Sequence, residues 1–399
     1  MNAPGPSTTI APQIVSLDLI RTLVGFDTTS RESNLALIHW VRDYLAREGI
    51  ASQLTFDDER RKANLFATLP AQDGNESRGG IVLSGHSDVV PVDGQPWDRP
   101  PFAATIVGDR LYGRGVTDMK SFSAIALEFV PELLRRGLGR PLHIALSYDE
   151  EVGCVGVRRL IADIAACGIR PAGCIVGEPS GMQVVLAHKG KRGYRCRVHG
   201  HEAHSALTPL GVNAIQVASE LVNFLAQMGR RFRERGGFDA AYDVPYTTVH
   251  TGVIRGGTAL NIVPRECSFD FEFRHLPFDD PEQMLGEVKR FAAALLPEMH
   301  AVDPTTRIEF DPLSTLPGFD THGGSEIVEL GKACTDSPEF GKVSFGSEAA
   351  LFHNAHIPAI ICGPGHIAQA HQPNEWVALE QLAQCETFMR RLADRICVA

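Results

Sequence analysis

The sequence predicts an α/β fold: a mostly parallel, doubly wound domain interrupted by an inserted α+β sandwich. Its 399 residues are enough for two domains. Apolar runs of strand length alternate with helical patterns over residues 1–187 and again over 313–399, which is typical of a parallel sheet covered by helices. Residues 188–312 instead alternate polar and apolar positions in the order strand-helix-strand-strand-helix-strand, which indicates a separate sandwich domain.

Composition and charge are those of an ordinary globular protein. With 44% hydrophobic residues and a formal net charge of −10, the chain lacks the basic surface that nucleic acids or anionic membranes require. No apolar run reaches the ~18–20 residues of a membrane span, and Met1–Pro12 does not resemble a secretory signal. The nine cysteines form no C-x-x-C pair, so free thiols in a reducing compartment are expected. We therefore expect a cytoplasmic protein with neither nucleic-acid nor membrane partners.

Apolar periodicity defines the elements of the first segment. Helical spacing predicts two helices, separated by Asp27-Thr28-Thr29-Ser30, which provides capping side chains, and the second ends at Gly49. Continuous apolar runs bounded by turn-forming residues predict buried strands. The predicted order is helices at 13–26 and 32–48, strands at 51–56, 63–69, 81–86 and 109–112, a helix at 119–136, a strand at 141–148, a helix at 155–166 and a strand at 173–177.

The remaining elements follow the same rules. The alternation that begins at residue 188 predicts a half-exposed strand. The inserted domain continues with a helix at 211–228, strands at 246–255 and 262–274, a helix at 281–296 and a strand at 306–312; the first domain then resumes with a helix at 324–334, strands at 340–345 and 358–362, and a helix at 378–395.

Three of the predicted buried strands are followed by imidazole or carboxylate groups. His86 and Asp88 follow one strand and lie two residues apart, so both side chains point to the same side of an extended chain. Glu150 and Glu151 follow a second strand, and Glu178 follows a third. Read singly, such a histidine is often a hydrogen-bonded structural residue, and such an acidic run is often a solvated surface. Because the carboxyl ends of parallel strands meet at one edge of a sheet, we expect these groups to converge.

Two further residues extend this set. Asp118 begins a predicted helix, where an N-cap is the default explanation, and His371 lies in a loop after a buried strand. Two imidazoles with several carboxylates suit zinc, cobalt or manganese rather than calcium. A two-metal site shares one carboxylate between ions ~3.5–4 Å apart, and the number of acids here is sufficient for one. The residues therefore indicate a di-metal hydrolase.

Two other kinds of site are disfavoured. Gly113-Arg114-Gly115 lacks the third glycine of a dinucleotide loop, and no G-K-[ST] follows it. The chain contains no G-x-S-x-G motif, so a serine hydrolase is not expected.

Seven motifs, which keep their order over almost the whole chain, resemble those of the co-catalytic zinc peptidase family. That family includes aminoacylases, carboxypeptidases and deacylases of other N-acyl amino acids. The resemblance implies a catalytic metal-binding domain of residues 1–187 plus 313–399 and an inserted lid and dimerisation domain of residues 188–312. The motifs are SGHSDVVP (84–91), GRGVTDMKSF (113–122), SYDEEVGCVG (147–156), VGEPS (176–180), GHEAHSA (200–206), GGTALNIVP (256–264) and HQPNEW (371–376).

The resemblance also implies the metal ligands. Two Zn²⁺ ions are expected, for which Co²⁺ is a substitute. The implied ligands are His86 and Glu178 for one ion, Glu151 and His371 for the other, and Asp118 as the bridge between them.

The remaining catalytic roles are implied in the same way. Asp88 orients His86, and Glu150 is the general base that takes a proton from water and passes it to the leaving amine. His204 resembles the histidine that reaches the active site of a partner subunit and stabilises the developing oxyanion. Asn261 assists it, so a homodimer formed through the inserted domain is expected.

The implied substrate is an N-acyl amino acid, with N2-acetyl-L-ornithine as the first expectation. Arg274 resembles a lid arginine that holds the substrate α-carboxylate. Glu348 is a candidate partner for a side-chain ammonium, although a carboxylate favoured by a helix dipole explains it equally well. Desuccinylase or aminoacylase activity is the alternative. A non-catalytic amino-acid-binding protein is disfavoured because a pure binder needs no base such as Glu150.

Overall fold

The computed structural model describes residues 12–337 and 339–398, and the chain forms two compact units. The first unit extends to Leu186 and includes Thr321–Gly341 and the chain from Ser347 onward. The second unit comprises Ala187–Asp320 and Lys342–Gly346.

Strands and helices alternate through both units. The strands are β1 Ser52–Phe56, β2 Ala63–Leu69, β3 Ile81–His86, β4 Thr105–Val107, β5 Arg110–Tyr112, β6 Leu142–Ser147, β7 Gly173–Pro179, β8 Val184–His188, β9 Gly190–His199, β10 Ala203–His204, β11 Thr248–Gly256, β12 Ile262–Val263, β13 Glu266–His275, β14 Arg307–Leu316, β15 Phe319–Asp320, β16 Phe340–Val343, β17 Ala359–Gly363 and β18 Trp376–Ala378. The helices are α1 Leu17–Val24, α2 Leu35–Arg47, α3 Lys120–Glu128, α4 Val130–Arg136, α5 Val155–Ala166, α6 Ala214–Arg235, α7 Pro281–Val302, α8 Glu326–Cys334, α9 Ala349–Asn354 and α10 Leu379–Ile396.

The large sheet of the first unit has the order β1-β2-β6-β3-β7-β17-β8. Its centre is parallel: β3 pairs in parallel with β6 and β7, and β17 pairs in parallel with β7. Antiparallel strands extend this centre on both sides. Every residue of β3, β6, β7 and β17 is buried, which explains why these segments are continuous apolar runs. The predicted α/β class is confirmed, with a mixed rather than uniformly parallel sheet.

Two groups of helices cover this sheet. Helix α10 packs on α3 and α8, whereas α5 packs on α9, and members of both groups contact the strands. The single helix predicted over 119–136 is two helices, because the first helix ends before Phe129 and Pro131 lies in the first turn of the next helix.

The second unit is built on a four-stranded antiparallel sheet with the order β11-β13-β9-β14. Buried and partly exposed positions alternate along β13, which places the phenylalanines at 269, 271 and 273 on one face. Helices α6 and α7 pack on this sheet and complete an α+β sandwich. Strand β14 remains paired with β9 as far as Leu316, so the first unit resumes only after it.

None of the helices in the described part of the chain is long and apolar enough to cross a membrane.

Candidate metal centre

The parallel strands of the first unit bring the predicted ligands to one edge of the sheet. His86 is the last residue of β3 and is paired with Ser147, the last residue of β6. The acidic pair Glu150 and Glu151 follows β6 after a short turn, and Glu178 lies near the end of β7, on the other side of β3. Strand pairing therefore determines the separation of these groups.

Asp118 lies between two imidazoles. Its Oδ1 is 2.9 Å from Nε2 of His86, and its Oδ2 is 3.2 Å from Nε2 of His371. The peptide bond that follows Asp118 is cis. One carboxylate thus faces two histidines with different oxygen atoms, which is the arrangement of a carboxylate shared between two sites.

Each histidine has a further carboxylate beside it. Glu151 Oε2 lies 3.0 Å from Nε2 of His371, and Glu178 Oε1 lies 3.8 Å from Nε2 of His86. Two groups of three residues each bring their ligand atoms together, so that all the atoms within one group lie within 4.8 Å of one another. The first group is His86, Glu150 and Glu178, and the second is His86, Asp118 and Glu151. The described residues therefore form two overlapping clusters, each with an imidazole nitrogen and carboxylate oxygens.

The charges of the two histidines are strongly affected by this crowding. Burial opposes a charged ring at His86, but the adjacent carboxylates of Asp118 and Asp88 outweigh it, so the pKa of His86 is well above its usual value. Hydrogen bonding to Asp118 and Glu151 raises the pKa of His371 to about 10. The carboxylates that raise the pKa values of both imidazoles would also attract a divalent cation.

Burial and crowding also shift the pKa values of the carboxyl groups. Burial, together with the charges of Glu151 and Asp118, raises the pKa of Glu150 to about 8. Burial and the Asp118 charge also raise the pKa of Glu178 well above its usual value. Four carboxylates crowded into a buried site would be costly without a cation. Imidazole nitrogen and carboxylate oxygen are donors that suit zinc and cobalt, so the residues present fit two such ions.

Asp88, which the sequence predicts to orient His86, lies beside the Nδ1 atom of that ring. Nδ1 of His86 lies 2.8 Å from the main-chain oxygen of Asp88 and 3.6 Å from its Oδ1. The carboxylate of Asp88 accepts hydrogen bonds from the backbone N–H groups of Glu150 and Glu151 and from the Ser30 hydroxyl. Asp88 therefore contacts His86 through its main-chain oxygen, places its carboxylate near the same ring, and holds the acidic turn through its side chain.

The turn that presents Glu150 is constrained at both ends. Asp149 has a φ of +55° and forms an ion pair of 2.5 Å with Lys62. The thiol of the buried Cys154 donates a hydrogen bond of 3.1 Å to Oε1 of Glu150. Neither Lys62 nor Cys154 was singled out from the sequence. The contact of Lys62 joins segments that are far apart in the chain, and the contact of Cys154 depends on the direction of its side chain, so no local pattern reveals either.

The predicted residues of the second unit form a group of their own. Strand β10 pairs His204 with Ile262, the residue that follows Asn261. The main-chain oxygen of Asn261 accepts a hydrogen bond from the backbone N–H of Ser205. His204 is exposed, and its Nδ1 accepts a hydrogen bond from the N–H of Ala206.

Arg274 lies on β13, where its Nε donates to Glu272. The structure thus brings His204 and Asn261 together and leaves Arg274 partly exposed.

Glu348 has a position that does not favour the predicted contact with a substrate. It is fully buried, and its two carboxylate oxygens accept hydrogen bonds from the hydroxyls of Ser84 and Ser147. These serines lie on β3 and β6, so Glu348 joins the two strands that present His86 and Glu150. Its burial at the start of α9 could not be read from the sequence.

The match to a protein family agrees with this geometry. Residues 82–395 match the model of peptidase family M20/M25/M40. The acetylornithine deacetylase of Myxococcus xanthus is 35% identical over 379 residues, which cover 94% of this chain and 96% of the relative. The acetylornithine deacetylase of Pasteurella multocida is 31% identical over 387 residues, which cover 94% of this chain and 95% of that relative.

Solved structures show the same fold. Aminopeptidase PepT from Bacillus cereus superposes with a TM-score of 0.75 at 21% identity and covers 96% of this chain and 98% of its own. A dinuclear metal-binding M20 peptidase from Bacillus subtilis superposes with a TM-score of 0.66 at 14% identity, and the match covers 95% of this chain and 96% of that peptidase.

Fold and site together define a metal-dependent hydrolase. The chain belongs to peptidase family M20/M25/M40, and among the relatives it resembles most are acetylornithine deacetylases.

Proposed function

We propose that this protein hydrolyses the amide of N2-acetyl-L-ornithine to give L-ornithine and acetate, with two Zn²⁺ ions, or Co²⁺ in their place. The observation that supports a two-metal centre is the position of Asp118, whose two oxygens face His86 and His371. The near full-length similarity to acetylornithine deacetylases supports the choice of substrate. The reaction would supply ornithine for arginine biosynthesis in the cytoplasm.

The chain's own residues provide the proton transfers. Bound divalent ions would supply Lewis acidity, which makes water a nucleophile at neutral pH. Glu150 accepts a proton from the attacking water, because its carboxylate lies among the ligands. The water oxygen then bonds to the acetyl carbon, the C–N bond breaks, and Glu150 returns the proton to the departing amine.

His204, Asn261 and Arg274 would complete the site from the second unit. We assign the first two to the oxyanion and Arg274 to the substrate α-carboxylate, for which a planar guanidinium is well shaped. A homodimer through the second unit would place His204 in the partner's site. Large apolar residues in that unit are exposed and suit such an interface: Leu207, Leu210, Val253, Ile254 and Leu260.

A panel of N-acyl amino acids tests this function. The metal-free protein is assayed with and without added Zn²⁺ or Co²⁺ on N2-acetyl-L-ornithine, N-succinyl-diaminopimelate and N-acetylmethionine. We expect metal-dependent release of acetate from the first compound at the highest kcat/KM. Preference for the succinyl compound would make the protein a desuccinylase, preference for N-acetylmethionine an aminoacylase, and binding without turnover a non-catalytic relative.

A further inference from the structure

A buried glutamate lies behind the proposed bridging ligand. Glu375 is 1% exposed. Its Oε1 accepts hydrogen bonds from the backbone N–H groups of Thr117 at 2.9 Å, Gly115 at 3.1 Å and Asp118 at 3.2 Å. The turn that presents Asp118 is therefore wrapped around one carboxylate oxygen.

The other oxygen of Glu375 is bound to an equally buried arginine. Nη1 of Arg114 donates to Oε2 at 2.7 Å, and Arg114 is also 1% exposed. Nη2 of Arg114 donates to Oε1 of Gln95 at 2.7 Å, and the amide nitrogen of Gln95 donates to the main-chain oxygen of His371 at 3.2 Å. A continuous chain of hydrogen bonds thus connects the Asp118 turn with the backbone of His371.

Main-chain contacts join the same two segments. The N–H of Gly113 donates to the main-chain oxygen of Glu375, and the Thr117 hydroxyl donates to that of Trp376. Trp376 also pairs with Tyr112 between β18 and β5. These contacts fix the backbones of the two segments, whereas the Glu375 carboxylate is bonded to the N–H of Asp118 itself.

We propose that Glu375 is a positioning residue that sets Asp118 between His86 and His371 and thereby controls the metal affinity of the centre. This rests on the metal-dependent function proposed above. A carboxylate has no donor group, so it matches a site in which three amides and a guanidinium all donate. In Glu375→Gln the amide NH₂ would face Arg114 or an N–H group, and the Asp118 turn would lose part of its support.

Glu386 provides a matched control. It too is 1% exposed, and its Oε1 accepts from the N–H and hydroxyl of Ser16 while its Oε2 accepts from Arg390. Glu386→Gln therefore neutralises a buried, arginine-paired carboxylate in the same unit. It leaves the Asp118 turn unchanged.

The test measures metal binding and coordination rather than activity alone. Metal-free wild type, Glu375→Gln and Glu386→Gln compete with a chromophoric chelator for Zn²⁺, and the visible spectra of their Co²⁺ forms are recorded. We expect Glu375→Gln to bind at least one ion about 10–100-fold more weakly, the usual effect of removing a partner that orients metal ligands. Its Co²⁺ spectrum should also change. Glu386→Gln should keep the affinity and spectrum of wild type.

A second variant covers the case in which Glu375→Gln does not fold. Arg114→Lys keeps the charge but cannot bond both Glu375 and Gln95 as the guanidinium does, so a smaller loss of affinity in the same direction is expected. Wild-type affinity and an unchanged Co²⁺ spectrum in folded Glu375→Gln would overturn the positioning role alone. If wild type itself binds neither Zn²⁺ nor Co²⁺, the proposed function fails and this role fails with it.

Discussion

The Cys154 thiol donates a hydrogen bond of 3.1 Å to Oε1 of Glu150, the proposed general base. Burial raises the pKa of Glu150 to about 8, and the bond from Cys154 acts against this rise by favouring the carboxylate. Removing the donor in Cys154→Ala should therefore raise the pKa of Glu150 further. The acidic limb of the kcat/KM profile should move to higher pH.

The control for this prediction is Cys174→Ala. Cys174 is also fully buried, but it lies on β7 and has no hydrogen bond to Glu150, so its loss should leave the limb in place. Cys154→Ser, which keeps a donor, should stay closer to wild type than Cys154→Ala. An acidic limb that does not move in Cys154→Ala would show that the thiol does not influence the base.

Glu150→Gln should separate catalysis from metal binding. The amide cannot accept the proton from water, so we expect kcat to fall by about 10²–10⁴-fold while both ions remain bound. Glu151→Gln, one residue further on, should instead weaken metal binding, because Glu151 faces His371 at 3.0 Å. Activity and metal content by elemental analysis distinguish the two. Loss of metal from Glu150→Gln would contradict its role as the base.

The stabilisation by metal should grow with pH. The raised pKa of Glu150, about 8 against an ordinary 4.5, means that the metal-free fold loses stability as pH rises from about 4.5 to about 8. The raised pKa of His371, about 10, acts in the same direction, because stability present below its ordinary 6.5 is lost as pH rises towards 10. Bound metal replaces the missing positive charge.

Thermal unfolding with Zn²⁺ and with a chelator, at pH 6 and pH 8, measures this effect. We expect a larger gain in Tm from metal at pH 8. Calcium, which prefers more oxygen ligands, should give a smaller gain at both pH values and serves as the control. A gain in Tm that is equal or smaller at pH 8 would show that the cluster does not bind metal in competition with protons.

The site residues that could be predicted best from the sequence are those whose positions follow from the order of the parallel strands. The positions of His86, Glu151 and Glu178 could be predicted because parallel strands present their carboxyl ends at one edge, and the boundaries of β3 agree with the predicted ones. Glu375 and Cys154 could not be assigned roles, because their contacts depend on side-chain direction and on segments far apart in the chain.

Ser84 offers a test of the buried support for these strands. It donates to Glu348 at 2.6 Å, so Ser84→Ala leaves a buried carboxylate oxygen without this donor and should cost about 1–3 kcal/mol of unfolding free energy. Ser123 is also buried, and among the described residues its hydroxyl has no hydrogen-bond partner. Ser123→Ala should therefore be nearly neutral in urea unfolding. Equal effects of the two substitutions would show that the bond to Glu348 contributes little.

His204 gives a test of the dimer as a catalytic unit. His204→Ala and Glu150→Gln should each be nearly inactive as homodimers, since one lacks the oxyanion group and the other the base. A mixed dimer would contain one site with neither defect, if His204 acts in the partner's site. Unfolding and refolding an equal mixture makes half the dimers mixed, with one working site in two, so activity should recover to about a quarter of wild type.

The same mixture distinguishes a role in trans from a role within one chain. If His204 served the site of its own chain, each site of the mixed dimer would keep one defect, one lacking His204 and the other lacking the base Glu150, and no activity would be recovered by mixing. Sedimentation of the refolded mixture must show dimers for the comparison to hold. A fully active monomer in the same experiment would contradict both the dimer and the role of His204 in the partner's site.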